Sequence, residues 1–188
     1  MTHSKVTSEN SVDQGSAATT RSRDGGTERT PADAASVRLA LALRPDAEAL
    51  RDAAVESFLD DWATYGAMPP RIEEVAFHSE RIADRNYYTI LCGGELAGAI
   101  LVEPQSNDAA EVALFFVTPA FQNRRIGGRA LELVEACYPQ VATWRLLTPS
   151  SDPRNRRFYE RHGYRGVGTL APEGRPGPTV IRYEKRTP

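Results

Sequence analysis

From residue 37 onward the hydrophobic residues change period again and again, and that alternation limits the fold more than any other feature. Val37, Leu39, Leu41 and Leu43 recur every second residue, the period of a strand with one buried face, which predicts a first strand over Ser36 to Leu43. Leu50, Ala54, Phe58 and Trp62 then step by four, one face of a helix that opens at Pro45 and Asp46 and is closed by Pro69 and Pro70. A second helix carries Ile72, Val75, Ser79 and Ile82. Two apolar runs, Tyr87 to Cys92 and Glu95 to Val102, flank Gly93-Gly94, whose tolerance of positive φ suits a two-residue hairpin turn. Glu111 to Val117 is a third β-rich run, stopped by Pro119 before helical spacing at Ile126, Ala130, Val134 and Cys137. Thr143 to Thr148 reads as a strand. The short helix after it has Asp152 at its N-cap, Pro153 at its first position and Gly163 just past its end. Two last strands, Arg165 to Leu170 and Thr179 to Lys185, enclose a Pro/Gly loop from Pro172 to Pro178. The order β, α, α, β, β, β, α, β, α, β, β predicts an α/β domain: a mixed central sheet of about seven strands with helices on both faces.

The domain has a clear start. Residues 1–35 contain no Ile, Leu, Phe, Trp or Tyr, and 14 of them are Ser, Thr or Gly, so the segment has nothing to bury against its ordering entropy. The expectation is a disordered tail over 1–35 and one domain over 36–188. With 23 basic against 25 acidic side chains there is no cationic field to draw in nucleic acid or an anionic membrane, and neither is expected as a partner. The two cysteines, Cys92 and Cys137, are too few for a disulfide framework, and no Cys/His spacing suits a metal. No apolar run reaches membrane-spanning length and the first residues lack a signal-peptide layout, so a cytoplasmic location is expected.

The segment Val117 to Gly128 carries the first chemistry. It places Gln122, Asn123, Arg124, Arg125, Ile126, Gly127 and Gly128 at a strand-to-helix junction. The first turn of a helix has unpaired N–H groups and a partial positive charge, and two glycines let an anion approach the backbone. The run lacks the Gly-Lys-Ser/Thr ending of a Walker A loop and the spaced glycines of a dinucleotide fingerprint, which disfavours a nucleotide triphosphatase or a dehydrogenase. The alternative is an ordinary helix start with solvated arginines and a Gly-Gly needed only for packing. One strand and one short helix later comes Asn155-Arg-Arg-Phe158-Tyr159, ending in Gly163-Tyr164.

These two elements, in this order, resemble the GNAT family of N-acetyltransferases. That family has a Gln/Arg-x-x-Gly-x-Gly/Ala pyrophosphate loop followed by a helix with an Asn and then a Tyr. Gln122, Gly127 and Gly128 match the loop; Asn155, Phe158, Tyr159, Gly163 and Tyr164 match the helix. Arg125 stands where the loop usually has its first glycine. The resemblance covers about residues 37 to 185. It implies a GNAT-like acyl-CoA N-acyltransferase fold, acetyl-CoA as acetyl donor, and direct attack by a primary amine of a small-molecule or peptide acceptor, with a second copy of the chain as a candidate partner. It further implies that acetyl-CoA wedges between the strands Glu111 to Val117 and Thr143 to Thr148, with Phe115, Phe116 and Val117 against the pantetheine arm. A non-catalytic module that binds CoA, another anion or a protein is the rival reading.

Acetyl transfer needs a neutral amine, a polarised thioester carbonyl and a proton for the departing thiolate. Tyr159 is the candidate acid, since a phenol keeps its proton at neutral pH, and Asn155 precedes it by one turn on the same face. A core role for the aromatic is its alternative. Glu111 is the candidate base, six residues before Val117 and hence expected on the same face; a solvent-facing strand-end charge is the alternative. Asp60, Asp61, Glu73 and Glu74 could attract a cationic acceptor, and Arg154, Arg156, Arg157 and Arg161 the CoA 3'-phosphate. His78 and His162 read as surface or helix-end residues.

Overall fold

The computed structural model describes residues 36–66, 68–171 and 178–187, so the expected tail and most of the Pro172 to Pro178 loop lie outside the described residues. The strands are β1 (Val37–Leu41), β2 (Tyr87–Cys92), β3 (Glu95–Pro104), β4 (Ala109–Val117), β5 (Thr143–Pro149), β6 (Arg165–Leu170) and β7 (Val180–Arg186). They form one sheet in the order β1-β2-β3-β4-β5-β7-β6. All neighbours are antiparallel except β4 and β5. The helices are α1 (Ala47–Tyr65), α2 (Val75–Ala83), α3 (Ile126–Cys137) and α4 (Pro153–Arg161), and α3 makes the crossover that the parallel β4–β5 pair requires. At Gly93 and Gly94, φ is 63° and 93°, the left-handed pair that closes the β2–β3 hairpin.

Helices cover both faces. Leu50, Ala54, Ile72 and Ile82 pack on Tyr87, Ala99, Leu101, Leu114 and Phe116 on one side. On the other, Leu131 and Val134 of α3 and Tyr159 of α4 meet Ile100, Val102, Ala110, Val112, Trp144 and Leu146.

Two boundaries differ from the periodicity. β1 stops at Leu41 because the Leu43 N–H bonds Asp46 Oδ2 at 2.7 Å and opens a 3-10 turn over Arg44–Asp46. The second helix starts at Val75, and Ile72 sits in the turn before it, where Arg71 has φ 65°. That turn is pinned from inside. His78, fully buried, donates from Nε2 to the Ile72 carbonyl at 2.8 Å, and its Nδ1 accepts from the Tyr87 hydroxyl at 3.0 Å. His78 is therefore a core residue and not the surface residue expected; burial lowers its pKa.

β4 carries a bulge. Leu101 pairs with Leu114 and Val102 with Val112, so Ala113 is an extra residue on β4. Before it, Ala110 and Val112 face α3; after it, Phe115 and Val117 do, while Leu114 and Phe116 face α1. An inserted residue reverses the in/out parity of everything beyond it.

Candidate active site

The centre of the sheet is open at one end. β4 and β5 pair only from Ala109↔Thr143 to Val112↔Leu146, yet β4 runs on to Val117 and β5 to Pro149. Beyond the bulge the two strands separate into a V, so this part of the ladder is not closed by strand pairing. A cleft of about 740 Å³ lies along the unpaired end of β4, lined by residues of α1, β4, the loop after it, α3 and α4.

The residues expected to bind acetyl-CoA or to act in the transfer converge on this cleft with two exceptions; of the further charged candidates, Asp61, Arg154 and Arg161 line it and Asp60, Glu73, Glu74, Arg156 and Arg157 do not. Phe115, Phe116, Val117, Gln122, Asn123, Arg125, Ile126, Gly127, Gly128, Asn155 and Tyr159 all line it. Arg124 does not: its guanidinium lies over the Phe121 ring at 4.9 Å and reaches the Ala120 carbonyl at 3.4 Å. Glu111 is the second exception, and the bulge is the reason. It lies between Ala110 and Val112, both packed toward α3, on the face opposite Val117. The shared parity expected from a regular strand does not hold. Glu111 pairs in register with Glu103, itself 3.2 Å from Arg81 of α2, and with Arg145 of β5. Its pKa is raised by burial first and by Glu103 second, with Arg182 and Arg145 opposing.

The α3 end of the cleft has the features of an anion cradle. Arg125 takes the N-cap position with φ 61° and ψ 9° and makes no side-chain cap bond, so its side chain leaves the first-turn N–H groups uncapped. Asn123 is also left-handed, at φ 59°. Gln122 donates from Nε2 to the Val117 carbonyl at 2.9 Å, tying the loop to β4. The glycines serve packing, the alternative reading of that pair. A Cβ on Gly127 would come within 3.3 Å of the Phe158 ring, and one on Gly128 would run into His162 Nε2. They let α4 close onto α3. His162 sits at the end of α4, one of the two places expected for it, and also lines the cleft, with Nδ1 donating to the Phe158 carbonyl at 2.8 Å.

Two carboxylates stand at or beside the cleft: Asp61 lines it and Asp152 acts on it from the start of α4. Asp152 is 2% exposed and its Oδ1 accepts from the N–H groups of Arg154 and Asn155, fixing the start of α4. Tyr159 packs between Phe158, Tyr164 and Tyr183, and burial, reinforced by Asp152, lifts its phenol well above the ordinary range. Asp61 of α1 faces the same space, 3.6 Å from Arg154, whose Nη1 donates to Gln122 Oε1 at 3.2 Å. Burial, then Asp152, raises the Asp61 pKa, Arg154 lowers it and Asp60 raises it.

Ser57 and Phe58 also line the cleft, and sequence reasoning did not place them there. A signal was present: Ser57 and Asp61 fall on the Leu50, Ala54, Phe58 face of α1, where polar residues interrupt an apolar stripe.

Residues 83–166 match the model of the acetyltransferase (GNAT) domain. The uncharacterized protein YrkN of Bacillus subtilis is 30% identical over 73 residues, 39% of this chain and 40% of that protein, so the match spans under half of the relative's length. Among solved structures, the chain resembles the PaiA N-acetyltransferase of Thermoplasma acidophilum, in complex with coenzyme A. The TM-score is 0.66 at 19% identity, over 81% of this chain and 99% of that one. An acetyltransferase of Thermus thermophilus gives 0.65 at 22% identity, over 81% and 97%.

Proposed function

Since residues 83–166 match the acetyltransferase (GNAT) domain and the fold resembles those acetyltransferases, we propose that the chain is a GNAT acetyltransferase and moves an acetyl group from acetyl-CoA to a primary amine by direct attack. The acceptor is a small molecule or a peptide. The observation that carries this reading is the V between β4 and β5, which ends against the uncapped first turn of α3. A pantetheine arm is a narrow chain of amides that can take up strand-like hydrogen bonds, and a pyrophosphate suits free helix N–H groups. When bound, acetyl-CoA supplies an acetyl thioester, whose transfer forms a C–N bond, breaks the C–S bond and leaves the CoA thiol.

The chain's own residues divide the rest. The first turn of α3, from Ile126 to Gly128, holds the pyrophosphate, with the Arg125 guanidinium as a charge-assisted partner. Gln122 and Asn123 set the loop's path. The backbone and rings of Phe115, Phe116 and Val117 line the arm, and the Asn155 amide reaches it from α4. Tyr159 keeps its phenolic proton until the thiolate departs and then gives it up. Glu111, across the strand from Val117, is not assigned the base.

Calorimetry with acetyl-CoA, followed by amine-dependent thiol release, tests the reading. Binding with turnover of at least one primary amine is expected. Tyr159→Phe should keep acetyl-CoA affinity and lose about 10 to 1,000-fold in turnover, the span of general acid catalysis. No heat and no melting shift at saturating acetyl-CoA would overturn it.

A further inference from the structure

We propose that Asp61, reaching the cleft from the C-terminal half of α1, is the carboxylate that receives the acceptor's ammonium and takes its proton. The inference rests on the acetyl-transfer reading and adds the residue that prepares the nucleophile.

Three observations support it. Asp61 shares the cleft with Tyr159 and with Phe115 to Val117, and its side chain is 19% exposed, so it is accessible without being fully solvated. Its ion pair is loose. Arg154 stands 3.6 Å away, is 58% exposed and is engaged with Gln122 as well, an arrangement in which a second cation competes readily. The surroundings also suit a proton acceptor. The groups acting on Asp61 are Asp60 on α1, Asp152 ahead of α4 and Arg154 on α4, two acids against one base. Together with burial they raise its pKa toward the working range of a base, and Asp152 acts on Tyr159 too.

The proton balance is simple. An alkylammonium reaches the carboxylate, one N–H bond breaks as an O–H bond forms on Asp61, and the nitrogen lone pair becomes free to attack; a second proton leaves the nitrogen as the C–N bond forms and, through water, replaces the one Tyr159 gives to the departing thiolate. The carboxyl returns its proton to water once the amide leaves. Glu111 does not line the cleft and has Arg145 and Arg182 as its cationic neighbours, so it has no comparable place in this exchange.

The test uses the full chain with acetyl-CoA and a fixed panel of propylamine, benzylamine, ethanolamine and the α-amine of a short peptide, read by thiol release across pH. Asp61→Asn should cut turnover at neutral pH by about 100-fold or more and recover as rising pH deprotonates the amine, with melting temperature and acetyl-CoA affinity unchanged. Asp61→Glu should restore part of the rate. Arg154→Met should move the acidic limb of the kcat/KM profile to higher pH, because it removes the charge that lowers the Asp61 pKa. A wild-type rate and pH profile in Asp61→Asn would overturn the proposal and leave Asp61 as a partner of Arg154 alone. Acetyl-CoA binding by the wild type with no turnover of any panel amine would overturn the acetyl-transfer reading beneath it, a different failure.

Discussion

Arg125 holds two opposed roles at a single position. A left-handed backbone at φ 61° costs a residue with a Cβ about 1 kcal/mol relative to glycine, yet its side chain lines the cleft where an anion is proposed to sit. Stability and affinity should therefore move in opposite directions in Arg125→Gly. The variant should gain roughly 0.5 to 1 kcal/mol, or about 1 to 4 °C in Tm, and lose about tenfold in acetyl-CoA affinity, the worth of one charge-assisted contact. Thermal melts and calorimetry on the same sample check both signs. A loss of stability would mean that the guanidinium supports the loop in the free protein. The strain is local, and it lies at a ligand-facing turn, where such strain is commonly found.

Between α3 and α4 the contact is made by absence. Gly128 offers no Cβ, and His162 fills that space while anchored to the Phe158 carbonyl. Gly128→Ala should lose about 1 to 2 kcal/mol by denaturant unfolding, since overpacking outweighs alanine's better helix propensity. In a His162→Ala background the same change should become neutral or stabilising, and a double-mutant cycle that showed no coupling would sink this account. The elements themselves were largely legible: the strands, the Gly93-Gly94 turn and the Asp152 cap sit within a residue or two of expectation, while α1 ends at Tyr65, short of Pro69, and α2 starts at Val75, past Ile72. The bulge at Ala113 was not. Glu-Val-Ala-Leu-Phe-Phe-Val is apolar on both faces because helices cover both, so no alternation remains to reveal a slip in register. That one hidden residue misplaced Glu111. That the loop before α3, Asn155 and Tyr159 come together at one cleft could be expected because each motif is local in sequence, whereas the approach of Asp61 to Arg154 joins residues 93 positions apart in the chain and exists only once the sheet has formed.

At the scale of the whole molecule, the stability curve has a buried histidine in it. The His78 pKa is lowered by burial, with the Ile72 carbonyl opposing and Arg51 adding to the drop. In the unfolded chain it titrates near its ordinary value of about 6.5, so below that pH the unfolded state takes up a proton that the folded state refuses. Stability is then present above about pH 6.5 and falls as pH drops toward the folded pKa, with a slope limited to about 1.4 kcal/mol per pH unit for one proton. Asp61 and Glu111, both raised, pull the other way at lower pH. Comparison with His78→Gln isolates the histidine: the variant should be less stable at pH 7.5 and flatter between pH 7 and 5, and equal slopes would remove His78 from this role. No helix among the described residues is long and apolar enough to cross a membrane. The V at the centre of the sheet sets one more whole-molecule property. Strand ladders resist shear through their rungs, and here the half built from β1 to β4 is laced to the half built from β5 to β7 by the short stretch from Ala109↔Thr143 to Val112↔Leu146. The seam beyond has no rungs, and the halves are joined otherwise by the buried cluster that packs Ile100 and Val112 with Trp144, Leu146 and Tyr183. A ligand that hydrogen-bonds to both lips supplies the missing rungs, so occupancy changes the stiffness of the molecule before it changes its shape.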